Sequence, residues 1–168
     1  MAPFIIALLA HGVIGGTDVV LNHELIARLP SQASARTEQV LHSARELAFA
    51  ILFVALAWFE WHGAAALLIA AILLAETLVS TVDMVVEIDT RILPRSERVL
   101  HVLLFTNFGI VLVLVGQALL GWWDLPTAVV RTDHGLASWV LSVMAAASLG
   151  WSVRDALSVA RLKTAAAA

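Results

Sequence analysis

Residues 64–87 carry no charge except three carboxylates, Glu76, Asp83 and Glu87. A bilayer takes about 20 residues to cross. In lipid, only a helix or a closed barrel satisfies its own backbone hydrogen bonds. A carboxylate near the bilayer centre costs roughly 2.5–3.5 kcal/mol, so the three acids restrict the fold more than the apolar residues around them do. They are spaced i, i+7 and i+11, with Ser80 at i+4. At 3.6 residues per turn all four project from one narrow stripe of a helix. Like charges on one stripe repel unless protons or cations balance them, and the remaining helices are expected to supply that balance.

The rest of the chain has the same character. It is 61% hydrophobic, with a mean hydropathy of +0.92, where a soluble domain has about 45–50% apolar residues. The sequence predicts five transmembrane helices at 3–25, 38–60, 64–88, 97–121 and 135–158, forming a single all-α integral membrane domain over 1–168. The Trp61-His62-Gly63 segment reads as a tight turn joining the second and third helices, and 122–134 as the longest loop. No strand alternation is evident. The N-terminus lacks a basic region and an A-x-A-like cleavage site, so it reads as a retained helix and not as a signal peptide. There is no cysteine, which excludes disulfides, iron–sulfur clusters and thiolate metal sites. A net charge of −3 leaves no footprint for a nucleic-acid partner.

Basic residues set the expected orientation. Arg28, Arg36, Arg91, Arg95, Arg98, Arg154, Arg161 and Lys163 fall at one set of helix ends, and Arg131 at the other. The positive-inside rule puts the N-terminus outside and the C-terminus in the cytoplasm, in a bacterial-type inner or plasma membrane. Trp58, Trp61, Trp122, Trp123 and Trp139 fall at the outer ends, as an interfacial belt would.

On that frame, ionisable residues of four helices reach the same depth near the cytoplasmic side. The first helix carries His11, Asp18 and Asn22 on one face, with His23 and Glu24 turned away from it. The second carries Glu38, His42 and Glu46, and the fourth Glu97 and His101. The fifth shows no comparable stripe and is expected to pack outside. The predicted ligands are His42, Glu46, Asp83, Glu87, Glu97 and His101, with Asp18 or Glu24 from the first helix. Arg45 and Arg98, with Asn22, Ser80, Glu38 and His23, are expected to pair with those ligands and orient them. Glu76 and His11 are about 10 Å deeper, placed to relay protons or touch a reacting group. Phe49, Phe53, Phe105 and Phe108 continue the stripes as an apolar substrate pocket, and Gly12-x-x-x-Gly16 permits a close helix approach.

Several carboxylates and imidazoles converging from four helices form the ligand set of a two-metal site. The set resembles, by ligand type and bundle architecture, the di-iron and di-manganese carboxylate proteins. The spacing differs: His42-x-x-x-Glu46 and Glu97-x-x-x-His101 stand where those proteins have Glu-x-x-His. The resemblance implies two metal ions, iron first and manganese or zinc next. With them would come oxidation of a lipophilic substrate and a cytoplasmic redox partner. Alternatives are a zinc-dependent membrane hydrolase, a proton or metal-ion transporter, and a non-catalytic membrane subunit with a buried salt-bridge network. Transport is disfavoured because the stripes stop near mid-membrane.

Overall fold

In the computed structural model, which describes residues 1–165, 84% of the chain is helical. Five helices are long and apolar enough to cross a membrane: Pro3–Ile26, Arg36–Trp58, Gly63–Thr90, Arg95–Trp123 and Leu136–Leu162. Helix α1 (Pro3–Asp18) starts with a proline at its first turn, where the missing N–H costs nothing. It runs on without a break into a π-helical segment, Val19–Ile26, and the chain then turns at Arg28, whose φ is 51°. Helices α2 (Arg36–Trp58), α3 (Ala66–Thr90), α4 (Arg95–Trp123) and α5 (Leu136–Ala165) follow. Pro94 caps α4, and the extended Arg91 before it ends α3.

The turn expected at Trp61-His62-Gly63 is instead part of a strand. β1 (Phe59–His62) pairs antiparallel with β2 (Ala128–Arg131), drawn from the predicted long loop, with Phe59 opposite Arg131 and His62 opposite Ala128. Aromatic and β-branched residues favour this conformation, and pairing satisfies backbone groups that two open loops would leave bare. Gly63 then makes the turn at φ +54°, where a Cβ would lie 2.8 Å from the Leu125 carbonyl oxygen and 2.9 Å from Thr127 Cα. Gly63→Ala is expected to destabilise the protein by about 1–3 kcal/mol, read as a lower unfolding temperature in detergent. An unchanged temperature would mean that the ribbon adds nothing to stability.

Helix α5 does not pack outside. Its contact with α2 is the most extensive of any helix pair. The reason lies in small side chains that let the two backbones approach. Ser138 Oγ donates to the Ala57 carbonyl at 2.7 Å, and Ser43 and Ser152 each donate to the other's carbonyl, at 2.9 and 2.8 Å. A serine stripe has almost no hydropathy signature, so the sequence does not mark it as a polar face. Trp58 stacks edge-on against Trp139 at 5.3 Å and donates to Ser142 Oγ at 2.8 Å.

The interior is divided along its length. Towards the ribbon it is apolar, with Ile5, Leu8, Leu52, Leu56, Ile69, Val111 and Leu141 fully buried. Towards the α3–α4 turn it is polar, and Asp18, Asn22, Glu38, Asp83, Glu87 and Glu97 are as buried as the leucines. The outward faces invert the usual pattern: Leu67, Leu74, Leu78 and Val85 on α3 are each more than half exposed.

Candidate metal centre

Helix α3 sets the spine of the polar end. Glu76, Ser80, Asp83 and Glu87 all point inward and are buried, with Ser80 Oγ donating to Glu76 at 2.7 Å. Glu87 is central. Its Oε1 lies 3.2 Å from His42 Nε2 of α2, and its Oε2 lies 3.4 Å from His101 Nδ1 of α4. His42 Nε2 is also 3.2 Å from Asp83 Oδ2, and His101 Nε2 is 3.2 Å from Asp18 Oδ2. His23 Nε2 lies 3.3 Å from Glu97 Oε1.

Two sets of donor atoms among the described residues are compact enough to hold an ion, with all atoms of each set within 4.8 Å of one another. One is His23, Glu87, Glu97 and His101; the other is Glu38, His42 and Glu87. Glu87 belongs to both. Buried polar groups are nearly always hydrogen-bonded, yet Asp83 Oδ1 and Glu76 Oε2 make no hydrogen bond, and His23 Nε2 and His101 Nδ1 face carboxylate oxygens at 3.3 and 3.4 Å. An oxygen-and-imidazole set of this kind is donor chemistry that suits iron, manganese or zinc.

Two arginines enter this core, and one of them is not the expected one. Arg45 Nη1 donates to Asp83 at 2.6 Å and its Nε is 3.5 Å from Glu76. Arg98 is exposed. Its expected place is taken by Arg91, which grips Glu38 (Nη2 at 2.6 Å, Nε at 3.1 Å) and Glu97 (2.5 and 2.7 Å). Burial works against the Arg91 charge, but the hydrogen bonds to Glu97 and Glu38 outweigh it and push its pKa up. The sequence did contain a signal: Arg91 is four residues past Glu87, directly after the last residue of α3.

Of the expected ligands, Asp18, Glu24, Glu46 and Asp83 lie outside the two ion-sized sets; Asp83 is taken up by Arg45 and His42, and Asp18 by His101 and Asn22. Glu24 pairs with Arg154 of α5 and accepts from Trp151 Nε1 at 3.3 Å. Glu46 faces the seam between α1 and α5, with its Oε2 buried and unpaired. His23, in place of Asp18 or Glu24, is the first-helix residue of an ion-sized set. In an α-helix it would point away from Asp18, but the π-helical segment places residue i+5 over residue i. The amide of Ala27 accordingly donates to the Asn22 carbonyl at 2.7 Å, and Asn22 Nδ2 donates to Asp18 at 2.6 Å. The His23 ring stacks on His42 at 4.3 Å.

Deeper in the bundle, His11 stacks on Phe49 at 4.1 Å, its Nδ1 is 3.3 Å from Asn107, and Phe108 is 5.9 Å away. His11 and Glu76 line a small hollow together with Arg45 and Ser80. A larger cavity of about 150 Å³ lies between α1, α2 and α5, walled by Phe49 and Phe53 at one end and by His23, His42 and Glu46 at the other. Phe105 and Phe108, expected in the pocket with Phe49 and Phe53, do not line this cavity but the small hollow beside His11 and Glu76. The pocket sits towards α5 because α5 packs against α2. Comparison of the chain with protein-family models, with curated proteins and with solved structures finds no match.

Proposed function

We propose that this is an integral membrane protein whose polar core holds two metal ions, iron first, and uses them to oxidise a lipophilic molecule. The observation that carries the reading is Glu87, whose two oxygens face imidazoles from two different helices and which belongs to both ion-sized sets of donors. A carboxylate placed in this way is suited to bridge two ions.

Charge balance supports the same reading. Six carboxylates of α1 to α4 are buried, namely Asp18, Glu38, Glu76, Asp83, Glu87 and Glu97. Arg45 and Arg91 are the guanidiniums among them. Four negative charges remain, which two divalent ions neutralise while leaving the imidazoles free to act as ligands. Protons on His11, His23, His42 and His101 would balance the same four charges, but would leave no imidazole free to bind an ion. Buried charge left unbalanced is costly, so either ions or protons must accompany these carboxylates.

Membrane insertion is supported by the five long apolar helices and the exposed leucines and valines of α3. The arginines at the α3–α4 end support a cytoplasmic location for that end by the positive-inside rule. Within this reading, iron or manganese would supply redox chemistry. Insertion of one oxygen atom from dioxygen into a C–H bond takes two electrons and two protons from a donor and releases one water. The donor would be a cytoplasmic reductase reaching the α3–α4 end. Zinc in the same donors would turn the reading towards hydrolysis, with a metal-bound water as nucleophile.

One observation favours a purely electrostatic core: the grip of Arg91 on Glu38 and Glu97. Elemental analysis of the detergent-purified protein separates the two. About two iron or manganese per chain, lost in His42→Ala, is the expected result, and the absence of stoichiometric metal would overturn the reading in favour of the salt-bridge core.

A further inference from the structure

We propose that the cavity between α1 and α5 receives the hydrocarbon end of a lipid-soluble substrate, which enters sideways from the bilayer. The inference rests on the membrane and metal reading above and names where its substrate binds.

Size, wall and rim agree. A cavity of about 150 Å³ is the volume that holds a benzene-sized group when apolar. One end is lined by Phe49, Phe53, Leu104 and Met144. The other ends on the stacked His23 and His42 rings, whose Nε2 atoms sit among the carboxylates of the core. A group filling the cavity therefore touches the imidazoles that would hold the ions. Gly16 and Ala147 line the cavity and are exposed, so it opens on the side of the bundle, part-way along two membrane-length helices.

The glycines of α1 bear on the same point. Gly12 is close-packed, since a Cβ there would lie 2.5 Å from Met144 Sδ and 3.3 Å from Phe53. Gly15 and Gly16 are not: a Cβ at Gly15 would meet only Leu104 at 3.7 Å, and one at Gly16 would meet nothing within 4 Å. A glycine within a helix costs about 1 kcal/mol relative to alanine, and packing inside this chain does not require these two. What their missing side chains leave is an open mouth.

The test uses palmitic acid bearing a diazirine at its terminal carbon, photolysed with the full-length protein in detergent and again after metal removal. Labelled peptides containing Phe53, Leu104 or Met144 are expected. Gly16→Leu and Ser148→Leu, which fill the mouth and the wall, should each lower that labelling about tenfold, as overfilling a packed site does. Gly109→Leu adds the same bulk on an open face of α4, where a Cβ meets nothing within 4 Å, and should leave it unchanged. Labelling confined to the outward faces of α3 and α4, or unaltered by both blocking variants, would overturn the inference. The label needs neither metal nor turnover. A metal-free protein that labels at Met144 keeps this site and loses the metal reading; one that binds two ions and labels only elsewhere does the reverse.

Discussion

Glu87→Gln is expected to empty both ion positions at once, whereas Glu38→Gln should empty one. The amide keeps the volume of the side chain and removes the negative charge that both donor sets share. Loss of an outer partner of a metal ligand already costs roughly 10–100-fold in affinity, and loss of a bridging carboxylate should exceed that for each ion. Metal content by mass spectrometry, from about two per chain in the parent to near zero in Glu87→Gln, reads the effect directly. One ion retained in Glu87→Gln would show that the carboxylate does not bridge, and two retained would remove it from the ligand set.

The second large effect is expected from Arg91→Met, and its sign depends on metal. Without metal, the substitution strands Glu38 (1% exposed) and Glu97 (0% exposed). Breaking a buried ion pair from one side costs about 3–5 kcal/mol, and the lower figure is appropriate because the Arg91 side chain keeps 15% of its exposure. Ions loaded at Glu38 and Glu97 would take oxygens that Arg91 now holds, so the loaded protein should lose much less. By linkage the two differences are one quantity: about 3 kcal/mol lost by the metal-free state alone appears as roughly 100-fold tighter binding. Thermal unfolding and Mn²⁺ titration of the same variant measure it twice. Equal destabilisation with and without Mn²⁺ would make Arg91 a permanent structural partner and not a competitor of the ions.

What could be read from the sequence follows from which physical signals a sequence carries. Helix period and hydropathy mark five apolar segments, and all five are helices of membrane length. The α3 stripe was legible for the same reason, because Glu76, Ser80, Asp83 and Glu87 obey the period of an ordinary α-helix and stand out against leucine and valine. Three features were not. The β1–β2 ribbon joins segments about seventy residues apart in sequence, and four-residue strands leave no periodicity to detect. The α5 face is written in serine and alanine, which look alike on either side of a helix. Arg91 read as the end of a helix, since a basic residue there is ordinary; only its pairing with Glu38 and Glu97 across the α3–α4 turn gives it another role.

The π-helical segment also bears on how this chain should be aligned with others. A turn widened in this way differs from an α-helical one by a single residue, and Val19–Ile26 is apolar enough that adding or removing one residue barely alters a hydropathy plot. In a sequence one residue shorter between Asp18 and His23, the aspartate could remain in the core while the imidazole turned out of it. A one-residue gap there, which an alignment would treat as noise, would separate chains with three core histidines from chains with two.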